Sequence, residues 1–170
     1  MKIFYIDIEK FKKSIDKSIL YEYADIELKT EKIFFEYTIG RYLIKNAAKK
    51  FYNLDSEITV NKNGKPQFKN NEIYFSLSHS KNIVAACFNK NPCGIDIEFI
   101  KSRDLKEISD YYGQKFDTLD DFYEFWTINE AEYKLGEKAI YKYSCKINNY
   151  YLSVASKQKM DKNIIITEFK

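Results

Sequence analysis

The sequence predicts an α+β protein made of two related halves, each a small antiparallel sheet packed on a long helix. Two observations carry this reading. The tetrapeptide IDIE occurs at residues 6–9 and again at 95–98, displaced by 89 residues. At the same displacement Tyr37-Thr38-Ile39 faces Trp126-Thr127-Ile128, and Lys45 superposes on Lys134 with no gap. Two separate matches at one shift point to an internal duplication, with an N-terminal half at 1–88 and a C-terminal half at 89–170.

The elements follow in order. The chain opens on MKIFYIDI, a short strand. Residues 33–51 carry Phe34, Tyr37, Leu43, Ala47 and Phe51 at helical spacing. Residues 72–80, 82–88 and 94–99 read as a meander of three strands, the last connection turning through Asn89-Lys90-Asn91-Pro92-Cys93-Gly94. A second helix over 119–138 presents Phe122, Phe125, Ile128 and Leu135, and the tail adds strands at 150–155 and 164–169.

Composition bounds the function. A length of 170 residues with 45% hydrophobic content suits one domain, or two half-size units sharing a core. The 15 Tyr and 13 Phe are first of all core filler. A charge of +3, with lysines dispersed over Lys12, Lys13, Lys49, Lys50, Lys157 and Lys159, speaks against a nucleic-acid partner. Cys87, Cys93 and Cys145 show no C-x-x-C spacing. The charged opening does not suit a signal peptide, and no run reaches the roughly 18 apolar residues of a membrane span. The cytoplasm is the expected location, with no membrane partner.

The two halves differ where chemistry needs them to. Arg41 in the first stands at the place of Glu130 in the second, so only the second half can gather three carboxylates. Asp96 and Glu98 lie two apart on a strand and leave the same face, while Ile95 and Ile97 leave the other. Acidic alternation alone is usually a solvated edge. Here, however, Glu130 and Lys134 are helix neighbours four apart, and Trp126 shares their side one turn earlier. Hard oxygen ligands of this sort suit Mg2+, whereas a single histidine and no paired thiols leave zinc without its usual ligands.

Four segments in order then resemble a known family: Gly64-Lys65-Pro66, Phe75-Ser76-Leu77-Ser78-His79-Ser80, Gly94-Ile95-Asp96-Ile97-Glu98, and Trp126-x-x-x-Glu130-Ala131-x-x-Lys134. They are similar to the GKP, F-N-x-S-H-S, G-I-D-I-E and W-x-x-K-E-A-x-x-K segments of surfactin-type 4′-phosphopantetheinyl transferases. The resemblance implies a pseudo-dimer of two α/β halves with coenzyme A in the cleft between them. It implies Mg2+ at Asp96, Glu98 and Glu130, and coenzyme A contacts from Lys65, Pro66, Ser78, His79 and Lys134. It further implies Glu130, Lys134 and His79 as catalytic groups, and an acyl or peptidyl carrier protein as the substrate whose serine is modified. Lys29, Lys32, Arg41 and Lys45 are the candidates for gripping the adenosine 3′-phosphate, and segment 99–118 for docking the carrier. A monomer is expected, because the duplicated halves already supply a cleft.

The chain departs from the pattern at Asn129, where the family usually has Lys, and at Ser76, where Asn is common. The alternative to an enzyme is a catalytically degenerate relative that binds coenzyme A or a carrier protein.

Overall fold

The computed structural model describes residues 1–62, 64–70, 72–160 and 164–170. Strand β1 (Lys2–Asp7) buries Ile3 to one side and Phe4 and Ile6 to the other. It stops at Asp7, whose carboxylate accepts the Lys10 N–H and caps helix α1 (Ile8–Ser14). A short α2 (Lys17–Tyr21) leads to α3 (Glu31–Tyr52). Thr30 caps the start of α3, and Asn53, at φ 50°, ends it in the left-handed region. Its buried stripe of Phe35, Ile39, Leu43, Ile44, Ala47 and Ala48 follows helical spacing.

A small ribbon of β2 (Ile58–Val60) and β3 (Pro66–Phe68) precedes the hairpin β4 (Tyr74–Ser80) and β5 (Ile83–Asn89). Then come β6 (Cys93–Phe99), α4 (Leu105–Tyr112), α5 (Leu119–Leu135), β7 (Tyr141–Ile147), β8 (Tyr150–Ser156) and β9 (Ile165–Glu168). A Thr118–Asp121 capping box opens α5, and Gly136, at φ 90°, closes it. The helix therefore ends short of the 138 that periodicity suggests. No helix among the described residues is long and apolar enough to cross a membrane.

The strands form a four-stranded sheet, β4-β5-β1-β9, and a three-stranded sheet, β6-β8-β7. In the first, β1 pairs antiparallel with β5, and β5 with β4. In the second, β6 pairs antiparallel with β8, and β8 with β7. Each long helix precedes the hairpin of its sheet.

The expected three-stranded meander is only two strands long. Both edges of β5 are taken, one by β4 and the other by β1, so β6 has no edge there and starts the second sheet instead. The final strand β9 returns to the first sheet, parallel to β1. β7 has mostly exposed side chains and lacks the apolar alternation that marks a strand in sequence.

Four layers result. Phe4, Ile6, Val84, Ala86 and Phe88 of the first sheet pack on α3. Ile3, Ile83, Ala85 and Cys87 on its other face meet Ile95, Ile97, Leu152 and Val154 of the second sheet. Beyond that sheet lies α5, with Ala131 and Leu135 against Ala155. The carboxylates of β6 point toward α5, away from the central core.

Candidate functional site

Gly94 sets how closely α5 approaches β6. A Cβ there would overlap the backbone carbonyl of Ala131 and crowd the Leu135 N–H, so only glycine lets the helix lie this near. The approach brings Lys134 onto Asp96, its Nζ 2.7 Å from Oδ1 and 2.9 Å from Ser78 Oγ. Ser78 in turn donates to the same Asp96 oxygen at 2.8 Å. Asp96 is only 3% exposed, and its other oxygen, Oδ2, is buried with no hydrogen-bond partner. A buried carboxylate oxygen left unpaired is costly and calls for a ligand or a role.

Glu98 stands beside it, accepting the Ser80 hydroxyl at 2.9 Å. Burial pushes the Glu98 carboxyl above its ordinary range, and the Asp96 charge adds to this; the Ser80 hydroxyl, the Trp126 indole and Lys134 pull the other way. Trp126 and Lys134 thus reach the two carboxylates from turns of α5 on either side of Glu130. Glu130 occupies the intervening turn of that same face, partly exposed.

The donors fit a hard divalent cation. Two carboxylates share one strand face, one of them with a free buried oxygen, and soft ligands are absent from this face. Among the described residues no three His, Cys, Asp or Glu side chains are gathered so as to hold a metal ion. Asp96 and Glu98 are a pair, and Glu130 is a neighbour rather than a third member.

Strand alternation separates the remaining candidates. Ser76, Ser78 and Ser80 of β4 face β6, whereas Leu77 and His79 face the α3 side. His79 Nδ1 lies 3.7 Å from Glu36 Oε1, and Lys32 Nζ lies 3.6 Å from the same oxygen. Arg41 is engaged by Asp25 at 3.0 Å and lies over the Tyr37 ring, while Lys29 and Lys45 are exposed. Lys65 reaches across from the β2–β3 turn and donates to the carbonyls of Lys134 at 2.7 Å and Cys93 at 3.1 Å. Its ammonium therefore sits at the negative end of the α5 dipole. Pro66 follows it on the wall of a cavity of about 960 Å3. Lys65, Pro66 and Leu77 line one side of that space, and Asn129, Tyr133 and Lys134 the other.

Sequence reasoning left two features without a full role. Of the β4 hydroxyls the resemblance assigns only Ser78, as a coenzyme A contact, and leaves Ser76 and Ser80 without one. Glu132, one turn before Gly136, is buried and accepts from Lys142 at 2.9 Å, Lys138 at 3.0 Å and the Ala139 N–H at 2.9 Å. Burial alone would raise its pKa; the Lys142 ammonium, the Ala139 N–H and the Lys138 ammonium outweigh this and hold it down at about 2. It ties the loop after α5 back onto the helix.

No protein-family model matches this chain. Similarity to curated proteins nevertheless points to a class: the proteins it resembles are named 4′-phosphopantetheinyl transferases, which supports that superfamily. It is 30% identical over 127 residues to the 4′-phosphopantetheinyl transferase gsp of Aneurinibacillus migulanus, a match covering 67% of this chain and 52% of that protein. It is 31% identical over 116 residues to a 4′-phosphopantetheinyl transferase of Bacillus subtilis, covering 60% and 52% respectively. The chain spans about half the length of the curated relatives it matches.

Proposed function

We propose that this chain is a magnesium-dependent transferase that moves the 4′-phosphopantetheine group of coenzyme A onto a serine of an acyl or peptidyl carrier protein, releasing adenosine 3′,5′-bisphosphate. The observation that carries the reading is the unpartnered, buried Asp96 Oδ2 beside Glu98, facing α5 next to Lys134. Asp96, Glu98 and Glu130 would hold the cation, which when bound supplies positive charge for the diphosphate oxygens as the anhydride breaks.

The protein's own groups do the rest. The carrier serine oxygen attacks the phosphorus that bears the pantetheine, and the bond from that phosphorus to the bridging oxygen breaks. The serine proton passes to the Glu130 carboxylate. Lys134, anchored on Asp96 and Ser78, offsets the charge of the departing bisphosphate at the cavity wall. Lys65 and Pro66 line the same wall, and His79 and Lys32 stand on the other face of β4 for the remaining phosphate. Because the nucleophile comes from the partner, no catalytic triad is needed in this chain.

The duplication is part of the proposal. Halves at 1–88 and 89–170, forming a pseudo-dimer, are supported by the common displacement of 89 and by the shared strand order of first, third, second. A cytoplasmic monomer is the working form; the free thiols Cys87, Cys93 and Cys145 suit a reducing compartment.

Intact-mass analysis of a carrier protein, incubated with coenzyme A, Mg2+ and this chain, tests the reading. Wild type adds one phosphopantetheine per carrier, and Glu130→Ala adds none while keeping the wild-type circular dichroism. Equal loading by Glu130→Ala would remove Glu130 from its role. Coenzyme A binding without any loading by wild type would favour the degenerate relative, a reading that Asn129 and the ungathered third carboxylate support.

A further inference from the structure

The three serines of β4 form a comb whose teeth make the same contact at three successive steps along β6. Ser76 Oγ accepts the Ile95 N–H at 3.3 Å, Ser78 Oγ the Ile97 N–H at 3.4 Å, and Ser80 Oγ the Phe99 N–H at 3.0 Å. Each bond satisfies a buried or partly buried backbone donor on the edge of β6. What the hydroxyl proton then does differs from tooth to tooth. At Ser78 it goes to Asp96 Oδ1 at 2.8 Å, and at Ser80 to Glu98 Oε2 at 2.9 Å. At Ser76 the residue before Ile95 is Gly94, so there is no carboxylate to receive it.

We infer that Ser80 is a positioning residue: its hydroxyl, fixed by the Phe99 N–H, holds one oxygen of Glu98 and thereby aims the other at the cation site. A hydroxyl that accepts from a backbone N–H has its proton directed away from that N–H, here toward the carboxylate. The two bonds together leave Glu98 little freedom to rotate. Ligating carboxylates are tuned by such outer partners, and losing one typically weakens metal binding by about 10–100-fold. Ser80 stands on one side only of this arrangement, since its neighbour His79 points to the other face of β4. The inference rests on the reading of Asp96 and Glu98 as cation ligands.

Ser76 supplies an internal control, because it makes the same backbone bond without a carboxylate. Mn2+ binding to Ser80→Ala, Ser80→Thr and Ser76→Ala, each with coenzyme A present, can be followed by the electron paramagnetic resonance signal of free Mn2+. Melting temperature is measured on the same samples. Ser80→Ala should bind Mn2+ about 10-fold more weakly, Ser80→Thr close to wild type, and Ser76→Ala within about twofold despite a similar loss of melting temperature. The same ranking should appear in the Mg2+ concentration giving half-maximal transfer, with the maximal rate little changed. If Ser80→Ala binds Mn2+ like wild type, or if Ser76→Ala weakens binding equally, Ser80 holds strands rather than Glu98, and the inference fails while the cation site stands. Failure of wild type itself to bind Mn2+ would overturn the cation site and this inference with it.

Discussion

Residues 6–9 and 95–98 are the same four amino acids in two different structures. In the first copy the strand ends at Asp7, which caps α1, and Glu9 turns to the surface beside Lys12 at 3.2 Å. In the second copy Asp96 and Glu98 remain in mid-strand, paired opposite Ser153 and Tyr151 and covered by α5. The tetrapeptide does not decide between these outcomes; its surroundings do. Pairing of β1 with β5 runs out at Asp7–Ile83, and the next residues, with Phe11 buried, continue as a helix. Pairing of β6 with β8 continues to Phe99–Tyr150. The helices diverge in the same way, since Leu43 and Arg41 of α3 stand where α5 carries Glu132 and Glu130.

The largest test of this contrast changes the aspartates. Asp96→Asn should lower carrier loading by about 10³-fold, the scale on which preorganised charge acts in phosphoryl and acyl transfer. Asp7→Asn should leave the rate of loading unchanged, as read by intact mass over time. Equal loss from both would mean that the two copies are not divided between function and structure.

A second test acts on the glycine. Gly94→Ala forces α5 away from the strand and should cost about 1–3 kcal/mol of stability in urea denaturation, the usual scale of overpacking. Loading should fall as well, because Lys134 leaves Asp96. The equivalent position in the first copy is Tyr5, which already carries a large side chain. A third test sharpens the helix comparison. Glu132→Gln should lose about 1–3 kcal/mol at pH 7, since it breaks a buried pair whose lysines are partly solvated. The folded pKa of Glu132, about 2, lies below the ordinary value of 4.5. Its contribution is therefore full above that ordinary value and fades as pH falls toward the folded one. The gap between wild type and Glu132→Gln should close over that acid window; a gap constant across it would remove the ion pair as the cause. The smallest effect belongs to Asp7→Ala, which loses a helix cap and should cost about 1 kcal/mol in thermal melting, with loading unaffected.

What could be read in advance follows the range of the interaction. The long helices were legible because apolar spacing is local; their ends were less so, since the expected spans begin at 33, short of the Thr30 cap, and run to 138, past Gly136. The Asp96–Glu98 pair was legible because strand alternation is local too. The switch of β6 to a second sheet was not, because it depends on β1 having claimed the edge of β5. Alternation could have separated His79 from Ser78 and Ser80, but the motif presents the three as one block. Lys65 was legible only as a coenzyme A contact that the resemblance implies; its grip on two carbonyls depends on where α5 ends, far along the chain.

The parallel strand β9 has a consequence for biosynthesis. Its partner β1 is made well before it, and Phe169 is buried against Phe4, Tyr42 and Phe51 of the first core. On the ribosome the early sheet can pair and collapse, yet it keeps an open flank and a missing aromatic plug until residues 165–169 emerge. A nascent chain halted before that point should offer β1 to chaperones or to other chains, and the emergence of β9 is the step that seals it.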